Sequence, residues 1–286
     1  MSNQFRWFAL LGCLAFPSGM PLEAQESSLP QRYDKGMLAI GNAGLGALAS
    51  VVGQGVRGKR VTLRRTLQGA AGGGLVYAGK VVVARNSGFT NLLGRELAAV
   101  GSSGVRNASS GRGFFDNLSL PWGPVRVHID RKAATKVMVK LDLAGSVATI
   151  VALADSDLDF ELGKSFAYGV AVFRADRAEN PDLADGSHAA GVVKYRTGIP
   201  QGTASPAKIR GTIGHELVHV VQADFLFNAL SEPLESHLMG RHAVSRFVNR
   251  YVDIGGNVPF ASGLNVVVPY SRRPWESEAV SLAGRR

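Results

Sequence analysis

The chain has 286 residues, 45% of them hydrophobic, which gives room and apolar content for one large domain or two small ones. Its formal net charge is +10, which points to an anionic partner. The charges are dispersed, with no Cys/His finger, RNA-binding aromatic motif or basic helix array, so nucleic-acid binding is not expected and an anionic lipid surface fits better.

In chain order, Arg6 is followed by the apolar run Trp7 to Phe16 and then by small and polar residues to Gln25. This is the layout of a secretory signal peptide over residues 1–24, with cleavage after Ala24. The single cysteine, Cys13, lies inside it; Leu10-Leu11-Gly12-Cys13 is a faint lipobox, and lipidation of Cys13 is the lesser alternative to cleavage. Removal of the segment would leave no cysteine, and a metal site built from His and Glu tolerates an oxidising compartment. The expected location is therefore exported: periplasmic, outer-envelope or secreted.

Residues 25–115 read as a Gly-rich helical region. Gly36 to Gln54 carries no charge, nor does Thr66 to Gly79; after Lys80 the second stretch continues to Ala84. The basic cluster Arg57-Gly58-Lys59-Arg60 with Arg64 and Arg65 lies between them. Gly41, Gly44, Gly46 and Gly53 on one helix, and Gly69, Gly72, Gly73 and Gly74 on the other, suit close packing of small faces. Two readings of residues 36–84 stand: a hairpin associated with a membrane, its basic turn at the headgroups, or a soluble, tightly packed helical subdomain. The first stretch is about long enough to span a bilayer, but Gly, Ser, Asn and Gln dilute its hydrophobicity. The run Gly72-Gly73-Gly74 lacks a Gly-Lys-Ser/Thr ending and a preceding strand, so it is not read as a phosphate loop. Leu92 to Val105 reads as a third helix.

The middle is β-rich. Val125 to Asp130 alternates apolar and polar residues, as Lys136 to Leu143 does less strictly; both read as adjacent strands joined near Arg131-Lys132-Ala133. His128 falls on the polar face and reads as a surface residue. Ala144 to Ala154 reads as a short buried helix. Leu158 to Leu162 and Phe166 to Phe173 read as strands, and 176–187 and 197–206 as loops. Gly191 to Tyr195 reads as a strand beside the next helix.

That helix, about 207–230, contains His215-Glu216-Leu217-Val218-His219. Residues four apart share a helix face, so two imidazoles can meet one metal ion, and Glu216 can reach a water on it. Ile213, Leu217, Val218, Val220 and Val221 make the helix apolar on most of its surface, which predicts burial. Buried polar groups need partners, and a metal is one. A third histidine in a His-x-x-Gly-x-x-His continuation is absent: the positions are Gln222 and Phe225. Beyond a second long helix, Leu234 to Tyr251 with His237, Arg241 and His242, a last short helix opens at Pro274. It offers Glu276 and Glu278, which do not share a face.

The pattern His215-Glu216-x-x-His219 followed by Glu276-Ser277-Glu278-Ala279 resembles the gluzincin zinc metallopeptidases, most closely the minigluzincins and their membrane-bound relatives. In that family the third ligand is the Glu of a Glu-x-x-Ala-Asp motif. The resemblance covers about the last third of the chain and departs from the pattern at Val280, where Asp is expected. It implies Zn2+ held by His215, His219 and Glu276, with Glu278 as second choice, and Glu216 as general base in peptide-bond hydrolysis of a peptide or protein substrate. Tyr270, His237, Arg272 and Arg273 are the candidate oxyanion donors. It further implies an α+β fold: a zincin-like domain over residues 116–286 with a mixed or antiparallel sheet and an active-site helix, preceded by the Gly-rich helices. In zincins an edge strand commonly receives the extended substrate, and 191–195 is the analogous candidate.

Overall fold

The computed structural model of the chain describes residues 32–175, 186–189, 192–199, 202–226, 228–229, 250–253 and 272–283. Among these residues the fold is α+β, with seven helices and mixed sheets. The proposed signal segment with Cys13, the 176–185 part of a predicted loop, nearly all of the predicted 234–251 helix with His237, Arg241 and His242, and Tyr270 lie outside the described residues.

Among the described residues three helices come first: α1 (Lys35–Val56), α2 (Leu63–Ala84) and α3 (Thr90–Ser110). Asp34 caps α1 by accepting from the Gly36 and Met37 amides. The bundle closes through small residues whose backbones touch. A Cβ at Gly73 would stand 2.1 Å from the Asn42 carbonyl oxygen, and one at Gly46 would stand 2.3 Å from that of Gly69. Gly79 meets Gly94 in the same way, as Gly72 meets Gly101. Of the glycines expected to pack, Gly41, Gly44 and Gly74 face nothing within 4 Å, because they lie off the contact stripe. The outer face of α1 is apolar and exposed at Met37, Ile40, Leu45, Leu48, Val52 and Val56. By length and composition α1 meets the requirement for crossing a membrane, with mean hydropathy 1.5.

The first sheet has the order β1-β2-β3-β10, from β1 (Asn117–Trp122), β2 (Val125–Asp130), β3 (Val137–Asp142) and β10 (Val252–Asp253). The β2–β3 hairpin matches the expected pairing, with Val127 opposite Val139. Its alternation is inside out. Arg126, His128 and Lys140 are buried, whereas Val137, Val139 and Leu141 are exposed. The expectation that His128 is a surface residue is therefore wrong: it is 6% exposed, and its Nε2 lies 2.8 Å from Asp253 Oδ2. Ion pairs make this burial tolerable. Lys140 reaches Asp253 Oδ1 at 3.0 Å, and Arg126 bridges Asp142 and Asp224. The following helix, α4 (Leu143–Ala154), is not buried as expected. Ile150, Val151 and Leu153 are exposed, and only Ala144, Gly145 and Ala152 are covered.

The second sheet, β4-β5-β7-β6, comprises β4 (Leu158–Phe160), β5 (Ala171–Ala175), β6 (Gly186–Ala189) and β7 (Val192–Arg196). The predicted strand at 166–173 is instead the end of helix α5 (Leu162–Tyr168), a left-handed Gly169 and the start of β5. A two-stranded ribbon, β8 (Gly198–Ile199) with β9 (Gly202–Thr203), precedes α6 (Pro206–Leu226). The described part of the 191–195 segment, 192–195, belongs to β7, an interior strand parallel to β5, so it is not the edge proposed by analogy; the edge beside it is β6. Helix α6 packs on β6 and β7, on α2 and on the final helix, α7 (Pro274–Ala283). One hydrophobic core joins these parts, running through Val76, Val83, Val105, Val193, Leu217 and Ala279.

Candidate metal centre

Helix α6 begins with Ser205, whose Oγ accepts from the Lys208 amide, followed by Pro206 in the first turn. Its apolar residues Ile213, Leu217, Val218, Val220 and Val221 are each at most 1% exposed, as a helix hydrophobic on most faces requires. Gly214 sets its position: a Cβ there would stand 2.6 Å from the Ala84 carbonyl oxygen at the end of α2. The far end is clamped by Asp224, which accepts from Arg95 of α3 and Arg126 of β2. Burial opposes the charge of Asp224, but the two guanidinium groups outweigh it and hold the carboxyl below its usual range.

His215 and His219 lie one turn apart on the buried face, and Glu276 of α7 meets them. The Nε2 atoms of the two histidines are 3.0 Å apart. Glu276 Oε2 lies 3.2 Å from His215 Nε2 and 3.3 Å from His219 Nε2. Glu276 and Glu278 are two residues apart, about 200° around a helix, so they face opposite ways. Both are buried. Glu276 turns to the histidines, and Glu278 turns to α1 and α2.

Glu278 Oε1 accepts from Asn42 Nδ2 at 2.7 Å, and Oε2 accepts from Lys80 Nζ and Gln222 Nε2, each at 2.7 Å. Gln222 Nε2 also donates to the Trp275 carbonyl. With two acceptors on its amide nitrogen, Gln222 must present Oε1 to His219 Nδ1, 2.7 Å away. An amide oxygen only accepts, so Nδ1 carries a proton, and when the ring is neutral its lone pair is at Nε2. That lone pair faces the Glu276 carboxylate and the Nε2 of His215. The arrangement gathers electron-rich atoms around one point and calls for positive charge there. These atoms lie within 4.8 Å of one another, so this buried group can hold a metal ion.

The electrostatics agree. Burial opposes the Glu276 charge, yet the adjoining His215 and His219 imidazoles outweigh it and hold the carboxyl far below its usual range. Burial disfavours a proton on His219, but Glu276 and then Glu216 outweigh it and raise its pKa. Lys80 is pushed down by burial against the pull of Glu278, its ion-pair partner at 2.7 Å. Glu216 is fully buried beside His215. Among the expected oxyanion donors, Arg272 is exposed and Arg273 half-buried, just before α7.

The roles of Gln222, Glu278, Lys80, Asn42 and Asp224 went unread in the sequence. A signal was present for two of them. Gln222 is three residues after His219 and so shares its helix face. Lys80 is the lone charge in an otherwise uncharged helical stretch, and a buried lysine needs a carboxylate. Comparison of the whole chain with protein families, with curated proteins and with solved structures gives no match in any of the three.

Proposed function

We propose that the chain is an exported zinc-dependent metallopeptidase of gluzincin type, hydrolysing peptide bonds in a peptide or protein substrate. The observation that carries this reading is the convergence of His215 Nε2, His219 Nε2 and Glu276 Oε2 on one point, with Glu216 next to the first histidine. His215, His219 and Glu276 would hold zinc, which would supply a Lewis acid that lowers the pKa of water toward neutrality. Glu216 would act as the general base that takes the water's proton and returns it to the leaving amine. Gln222 keeps the His219 ring turned with its Nε2 toward the site, and Glu278 anchors Gln222. The exposed apolar face of α1 supports membrane association through residues 36–84.

A second reading has its own support. Glu216 is 0% exposed, which suits a structural metal site in a non-catalytic envelope protein. Hydrolysis of an unstructured protein such as casein separates the two. The metallopeptidase reading expects cleavage by the zinc-loaded chain that is lost with chelator and in Glu216→Gln. Zinc bound with no cleavage by the parent would favour the structural reading.

A further inference from the structure

We infer that the junction of α1, α3 and β1 is a binding site for a phosphate group, separate from the metal centre. A cavity of about 320 Å³ lies there. Arg57 and Lys59 line it from the turn after α1, and Arg106, Ser110 and Arg112 from the end of α3. Asn117 closes it from β1. Four cations thus share one hollow, and Arg112 is paired there to Asp130 at 2.7 Å.

Arg106 carries the inference. Five lysines and arginines are buried among the described residues: Lys80, Arg95, Arg106, Arg126 and Lys140. Four of them are matched by carboxylates: Glu278, Asp224, Asp142 with Asp224, and Asp253. Arg106 is only 4% exposed, yet no carboxylate pairs with it among the described residues. Its Nη2 donates to the side-chain and main-chain oxygens of Asn117. Its Nε and Nη1 have no acceptor among the described residues. A buried guanidinium without an anion is costly, and the N–H bonds of Nε and Nη1 remain to donate, each along its own edge of the guanidinium plane, to phosphate oxygens entering the cavity. Helix C-termini favour cations, and α1 and α3 both end here, but that field supplies no acceptor to Nε and Nη1. Lys59 Nζ donates to the Ser110 carbonyl at the rim and adds a positive charge.

The ligand chemistry is a phosphate monoester or diester, and it has two sources: a free phosphorylated solute or the headgroup of an anionic lipid. The turn that forms the site continues directly from Leu48, Val52 and Val56 on the exposed face of α1.

The test is calorimetric titration of the full chain with inorganic phosphate against sodium chloride of equal ionic strength. Saturable one-to-one binding is expected, weakened about tenfold in Lys59→Gln and abolished in Arg106→Gln. Far-UV circular dichroism checks both variants, and the exposed Lys59 keeps the test valid if Arg106→Gln fails to fold. Cosedimentation with phosphatidylglycerol vesicles, using phosphatidylcholine as control, identifies the source. Binding to the former that is lost in Lys59→Gln assigns the headgroup; phosphate binding without a Lys59-dependent vesicle interaction assigns a free solute. No saturation by phosphate in the millimolar range, or equal binding by Lys59→Gln and the parent, would overturn the inference. Hydrolytic activity plays no part in this readout, so failure here and failure of the metallopeptidase reading are distinct.

Discussion

Gln222 Oε1 lies 2.7 Å from His219 Nδ1, and this contact ties the candidate metal centre to the Gly-rich helices. From Gln222 the chain of hydrogen bonds passes to Glu278 and on to Asn42 of α1 and Lys80 of α2. Groups that orient a metal-binding imidazole typically contribute about 10–100-fold in metal affinity. Gln222→Met is therefore expected to weaken zinc binding by that order while leaving the three ligand atoms in place. Competition titration against a chromophoric chelator measures it; unchanged affinity would make the contact incidental.

Lys80 and Glu278 form a buried ion pair with side chains 4% and 10% exposed. Removing one member leaves an uncompensated charge, at about 3–5 kcal/mol. Lys80→Met is expected to lose stability of that order in chemical denaturation. The double variant Lys80→Met/Glu278→Gln is expected to recover a large part, because no buried charge is then left alone. Equal loss in the single and double variants would contradict the pairing.

The bundle gives a paired prediction at adjacent glycines. Gly73→Ala places a Cβ 2.1 Å from the Asn42 carbonyl oxygen, so the helices must separate, at about 1–3 kcal/mol. Gly74→Ala meets nothing within 4 Å and is expected to stabilise by roughly 0.5–1 kcal/mol through helix propensity. Thermal unfolding of the two variants should move in opposite directions.

Glu96 supplies a pH dependence. Burial lifts its carboxyl to about 7; Arg95 opposes the shift and Asp224 adds to it. The folded state thus binds the Glu96 proton more tightly than the unfolded state, whose value is near 4.5. Its contribution to stability is complete below pH 4.5 and is lost as pH rises through about 7. Glu96→Gln is expected to match the parent near pH 4 and to exceed it by roughly 2–3 kcal/mol at about pH 8. Urea unfolding at the two values checks this, and an identical difference at both would contradict it.

Local pattern carried much of the fold. The uncharged, Gly-rich stretches became α1 and α2, the four-residue spacing placed His215 and His219 on one face, and alternation marked β2 and β3. What stayed hidden depends on distant partners. Alternation in β2 and β3 is blind to which face is inward, and Asp224 and Asp253, far along the chain, make the polar face the buried one. Sequence alone could also not divide the labour of Glu276 and Glu278, because the partners that capture Glu278, Asn42 and Lys80, lie about 200 residues earlier. Helix α5 was missed because Phe166 to Phe173 is rich in strand-favouring residues, while its turn is set by the left-handed Gly169.

The central claim is that His215, His219 and Glu276 form one metal site beside Glu216. Zinc bound per chain after equilibrium dialysis tests it most directly, comparing the parent with Glu216→Gln and Glu276→Gln. The account predicts one tightly held zinc ion in the parent and in Glu216→Gln, and loss of that ion in Glu276→Gln. Full, tight zinc binding by Glu276→Gln, or none by the parent, would contradict it.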